Sequence, residues 1–119
     1  MKFIYDESKT KNIVQNYFKV HEDIEGELEI TCGARKVPSL GRSIAYHQFP
    51  AISFRLKGTM ESNGEVYPVE LDLSEDQVEN AFTTMMEATG RKVRRISISY
   101  DEKAFKSITV EADAKRKVK

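Results

Sequence analysis

The 119-residue chain lacks most of the features that announce a function. It has one cysteine, Cys32, so no internal disulfide forms, and a lone thiol of this kind predicts a reduced, intracellular protein. No apolar stretch approaches the roughly 20 residues that a membrane-spanning helix needs, which argues against a membrane partner. The segment Met1 to Glu7 turns acidic too early for a signal peptide and is not the Arg-rich, acid-poor start of a transit sequence, so it is expected to stay on a cytoplasmic protein. Internal repeats and low-complexity runs are absent. There is no phosphate loop, because Gly41 is followed by Arg42 and Ser43 where that loop needs Lys and then Ser or Thr. The two histidines, His21 and His47, have no metal-ligand spacing around them. No cofactor and no metal is expected, and the chain reads as a non-enzyme.

What the chain does have is charge sorted into blocks. Its formal net charge is zero, yet residues 1–20 carry +2, 21–32 carry −5, 33–58 carry +5, 59–90 carry −8 and 91–119 carry +6. Two blocks are pure: Gly33 to Gly58 contains no acid, and Thr59 to Gly90 contains no Lys or Arg. Such blocks either lie beside one another in a folded sheet or form a binding face.

Gly58 to Gly90 is the most legible stretch. Asn63-Gly64 is a strong type I′ hairpin signal, since both central positions of that turn need positive φ. Pairing outward from it sets Met60 opposite Tyr67, Lys57 opposite Glu70, Leu56 opposite Leu71, Arg55 opposite Asp72 and Phe54 opposite Leu73. Apolar then meets apolar on one face and cation meets acid on the other, so Arg55 and Lys57 are assigned as cross-strand partners rather than ligand-binding residues. Ser74-Glu75-Asp76-Gln77 has the form of a capping box and opens a helix. Val78, Ala81, Phe82, Met85 and Thr89 follow at helical spacing, with Met85 predicted in the core, Met86 at its margin and Gly90 as the left-handed stop.

Elsewhere, strict alternation over Ile24–Cys32 predicts a strand with one acidic, wet face, and places Cys32 on the apolar side as a small hydrophobe. Arg94 to Tyr100 and Lys106 to Ala112 alternate around a short turn and predict a second hairpin, with a bulge or strand end at Arg94. Phe3-Ile4-Tyr5 suits a short strand. Ile13, Val14, Tyr17, Phe18 and His21 suit a helix over about Glu7 to Val20. Together these predict one α+β domain over residues 1–113, an antiparallel sheet of two hairpins plus an extra strand with two helices on one face, and a mobile basic tail over 114–119.

The candidate contact residues are Arg35, Lys36, Arg42, Tyr46 and His47, in an eighteen-residue connection, Gly33 to Pro50, that is long for a loop in a small domain. The competing structural assignment is an edge strand or short helix over Ser43 to Phe49, with its cations answering Glu25, Glu27 and Glu29. A second basic run, Arg91, Lys92, Arg94 and Arg95, ends the second helix. The acidic helix face, Glu75, Asp76, Glu79 and Glu87, offers a surface to a basic partner. Three functions follow. The first is an interaction module, an adaptor, regulator or inhibitor, that binds another protein. The second is a nucleic-acid-binding domain that grips phosphates through the basic runs while Tyr46 or Phe49 stacks on a base. The third is an enzyme of unknown class working through His47.

Overall fold

The computed structural model describes residues 1–38 and 46–114. The Asn63-Gly64 turn is an exposed hairpin tip, with φ of 52° at Asn63 and 80° at Gly64, as a type I′ turn requires. It joins β3 (Tyr46–Ser62) to β4 (Glu65–Leu73), and all five pairs predicted from the turn are present in the register. Beside β3 on its other edge lies β2 (Ile24–Pro38), also antiparallel, so this sheet has the order β2-β3-β4. A second antiparallel sheet has the order β1-β6-β5, from β1 (Lys2–Tyr5), β5 (Val93–Tyr100) and β6 (Phe105–Ala112). The sequence implied one sheet. The strands divide into two because β1 closes on β6 from the opposite end of the chain, with the Met1 amine donating to the Ala112 carbonyl at 3.0 Å.

Helix α1 (Glu7–Glu22) is capped by Asp6, whose carboxylate accepts from the Lys9 amide at 2.9 Å, and stops at Asp23 in the left-handed region. Helix α2 (Glu75–Ala88) opens with the expected box: the Gln77 amide donates to Ser74 Oγ at 3.2 Å, and the Ser74 amide donates to Gln77 Oε1 at 2.8 Å. It closes with a Schellman motif, since Arg91 N–H reaches the Met86 carbonyl and Gly90 N–H the Glu87 carbonyl, both at 3.0 Å. Gly90 has φ of 83°.

Both helices and both sheets supply one core, in which Val14, Leu56, Val78, Phe82, Ile108 and Val110 are fully buried. The assignment of the two methionines is reversed: Met86 is buried, whereas Met85 is half-exposed and turned toward α1. Thr89 is exposed as the C-cap of α2, and His21 is exposed in the last turn of α1. Glu79 is half-buried on α2, and its carboxyl is held above its ordinary range by burial first and then by the neighbouring Asp76 and Glu75 carboxylates. An acid raised in this way lowers stability as pH rises through its folded titration, and relieves the molecule as pH falls. Glu79→Gln is therefore expected to stabilise the fold at pH 7 by about 0.4–1 kcal/mol, the scale of two like-charge pairs along a helix. The gain should vanish in melting curves recorded below the carboxyl's unfolded titration range.

The turn also fixes which way each backbone group points. Ser62 and Glu65 close a two-residue turn and so form a hydrogen-bonded pair. Counting back, even residues of β3 face the β4 lane and odd residues face β2. Pro50 lies beyond the end of β4, so its missing N–H falls on an open edge; the same count puts Pro68 on the outer edge of β4 and Pro38 on that of β2. All three prolines of the chain thus occupy open edges of one sheet. There an absent donor breaks no ladder bond and obstructs the addition of a foreign strand. The outer edge of β2 is further covered where α1 crosses it, with the Leu28 amide donating to Gln15 Oε1 at 2.8 Å.

Candidate functional site

Strands β2 and β3 continue past the rest of their sheet. β4 ends at Leu73, opposite Phe54, while β2 and β3 remain paired from Thr31↔Ser53 to Pro38↔Tyr46. These eight rungs span roughly 25 Å at about 3.3 Å per residue, and form a two-stranded arm. The Cα radius of gyration is 17.6 Å, against about 13.5 Å for a rounded domain of this length. The long connection expected over Gly33 to Pro50 is therefore strand up to Pro38 and again from Tyr46.

The arm forms where the apolar face runs out. Along the even positions the body contributes buried Leu28, Phe54 and Leu56, then half-buried Ile30, Cys32 and Ile52, then exposed Ala34 and Pro50. Past Cys32 the two strands continue as a cross-strand ladder to Pro38↔Tyr46. The Cys32 thiol is pushed up by burial first and then by the carboxylates of Asp101 and Glu7, so it stays protonated at neutral pH, the wrong state for a nucleophile.

The arm gathers four of the five predicted contact residues by backbone register. Arg35 lies opposite Phe49, Lys36 opposite Gln48, Val37 opposite His47 and Pro38 opposite Tyr46. Strand alternation places positions 35 and 47 on one face and 36 and 46 on the other. The Arg35 side chain is exposed, and Phe49 is 50 % exposed. Arg42 lies outside the described residues, as does the tail from Lys115 to Lys119.

The remaining cations of the +5 block are absorbed where the sequence placed them. On the wet face of the β2-β3-β4 sheet, Lys57 stands between Glu27 and Glu70, and Arg55 between Glu29 and Asp72. Arg55 Nε donates to Asp72 Oδ1 at 2.9 Å, and Lys57 Nζ comes within 3.5 Å of Glu29 Oε2. A basic central strand between two acidic ones explains much of the charge sorting. What it leaves over in the sequence is the stretch from Gly33 to Phe54, which holds Arg35, Lys36 and Arg42 and no acid.

The second basic run is only partly available. Arg94 sits at the register shift between Val93 and Arg95, the expected bulge, and its guanidinium makes a fork to Asp113 at 3.0 and 2.9 Å. That partner holds the Asp113 carboxyl below its ordinary range. Arg91 stacks over the Phe3 ring at 5.2 Å from its centroid, with Nε buried. Lys92 and Arg95 are exposed. Of the acidic helix face, Glu75, Asp76 and Glu87 are exposed. Among the described residues no group of three or more His, Cys, Asp or Glu is placed to hold a metal ion, and no helix is long and apolar enough to cross a membrane. No known family model, curated protein or solved structure matches the chain.

Proposed function

We propose that the chain is a non-enzymatic interaction module, an adaptor, regulator or inhibitor, that engages an acidic surface of a partner protein with its β-arm. One observation carries the reading: the arm runs beyond β4 as a two-stranded ribbon from Thr31↔Ser53 to Pro38↔Tyr46, within a stretch that holds three cations and no acid. A ribbon of unbalanced charge steers and orients the encounter with an oppositely charged partner. Pro38 and Pro50 disfavour docking by strand addition, so side-chain recognition is the mode proposed.

A second reading is favoured by shape. A two-stranded antiparallel ribbon is one of the few elements that the major groove of a duplex admits, and Arg35, Lys36 and Arg42 would meet phosphates there. The protein reading ranks first because three cations in this stretch of sequence are few for phosphate-driven binding, while Arg91 and Arg94 of the other basic run are engaged within the molecule.

Capture from lysate separates the two. With nuclease present, the wild-type chain is expected to retain a discrete protein, and the charge-reversed variant Arg35→Glu, Lys36→Glu, Arg42→Glu is expected to lose at least ten-fold of it. Retention of nucleic acid that disappears between about 50 and 200 mM salt, with no nuclease-resistant protein, would replace the first reading with the second.

A further inference from the structure

Helices α1 and α2 run antiparallel side by side, tied where Asn80 Nδ2 donates to Tyr17 Oη at 3.0 Å. Each carries more apolar width than the core covers. From α1, Val14 and Phe18 are buried, but Ile13 and Tyr17 are only half-buried and Val20 is 64 % exposed. From α2, Val78, Ala81, Phe82 and Met86 are buried, and Met85 is left half-exposed although it belongs to the same stripe. The surplus halves of the two stripes face each other across a groove of about 420 Å³.

We infer that this groove is a binding site for an uncharged, largely apolar small molecule. Size and position fit: ligand pockets commonly occupy roughly 300–1,000 Å³, lie between helices, and are mostly apolar with a few polar groups to set orientation. Electrostatics decides the class of ligand. In a chain with 32 % charged residues, none of the eleven residues lining the groove is Lys, Arg, Asp or Glu. A charged ligand would leave water here for no ion-pair partner, whereas a neutral one gives up little. The polar groups present are amides and hydroxyls on both walls, Asn12 and Asn16 from α1 and Thr84 from α2, which suit neutral hydrogen-bonding groups. The Tyr17 and His21 rings meet with centroids 4.6 Å apart and planes tilted by 35°, and supply an aromatic surface along the α1 wall. Met85, unbranched and polarizable, adapts to the ligand from the facing wall.

The inference is independent of the arm, and a neutral probe tests it. N-phenyl-1-naphthylamine is expected to bind the wild-type chain saturably, with a fluorescence increase and a dissociation constant in the micromolar range. Ala88→Phe fills the groove from α2 and Val20→Glu places a charge on the α1 wall; both positions are exposed, so circular dichroism and melting should stay as in the wild type. Each substitution is expected to weaken the probe at least ten-fold. Absence of saturable binding to the wild type would overturn the proposal, as would unchanged binding by both variants. So would a wild-type dimer in sedimentation that Ala88→Phe converts to monomer, because the groove would then be closed by a second copy.

Discussion

Gly58→Ala is expected to destabilise the fold by about 3 kcal/mol or more, the upper range for forcing an added carbon into a packed site. Gly58 lies opposite Gly26, between the rungs that carry buried Ile24 and Leu28. The two strands coil so tightly there that a Cβ on Gly58 would overlap the Glu25 carbonyl oxygen and sit 2.6 Å from its carbon. A Cβ on Gly26 would meet the Lys57 carbonyl oxygen at 2.5 Å. Both obstacles are backbone, which a rotamer change cannot move aside, so relief requires β2 and β3 to separate within the body of the sheet, five rungs from where the arm begins. Gly33→Ala is the control. It lies on β2 further along from Gly26, with nothing within 4 Å of the added carbon, and its stability in urea should stay within about 0.5 kcal/mol of the wild type. Equal midpoints for the two variants would mean that the tight Gly26–Gly58 crossing is not where the sheet is fixed.

Phe82→Ala is expected to cost about 3–5 kcal/mol, the usual range for deleting a buried aromatic ring. Phe82 is fully buried, and its ring meets that of Tyr5 with centroids 5.1 Å apart and planes tilted by 57°. Tyr5 ends β1 and lies opposite Ile108 of the fully buried β6 core, so the contact links α2 to the three-stranded sheet that the chain termini build. Thermal unfolding should shift down by roughly 10–25 °C for a domain of this size. Met85→Ala, on the groove side of the same helix, should cost less than half as much, because Met85 is only partly withdrawn from water. The order of these two variants therefore measures which side of α2 the core uses.

The parts of the fold that were legible are those whose information is local. Asn63-Gly64 dictates a turn conformation, the turn dictates a register, and the register dictates the pairing of Arg55 with Asp72. Ser74 and Gln77 specify a helix start in four residues, and Gly90 its stop. The division into two sheets was not legible, because the pairing of β1 with β6 joins residues over a hundred positions apart and is decided by packing rather than by any short pattern. Met85 and Met86 were exchanged for a related reason: adjacent residues on one apolar stripe differ only in which neighbour reaches them, and α1 leaves a groove on the Met85 side.

The arm was hidden by the disappearance of the signal itself. Alternation reveals a strand when one face is buried, and beyond Cys32 and Ile52 the next positions of the apolar series, Ala34 and Pro50, are exposed. Arg35 and Lys36 were recognisable as candidates from the acid-free composition, yet that composition alone reads equally as loop. The prolines held the missing clue, since Pro38 and Pro50 fall on outward-facing positions only if the ladder continues past Phe54. For the run Arg91 to Arg95, the sequence showed the cations but not the partner of Arg94, because Asp113 lies nineteen residues away across the second hairpin.

Shortening the arm tests the central claim most directly. Parity makes Gly33↔Ala51 a hydrogen-bonded pair, so replacing residues 34–50 with Asn-Gly should close a two-residue turn across it and leave the body intact. In parallel captures from nuclease-treated lysate, the full chain should retain a discrete protein and the shortened chain should not, with both giving the same circular dichroism and cooperative melting. A folded, shortened chain that retains the same protein as fully as the wild type would contradict the account and move the contact surface onto the body.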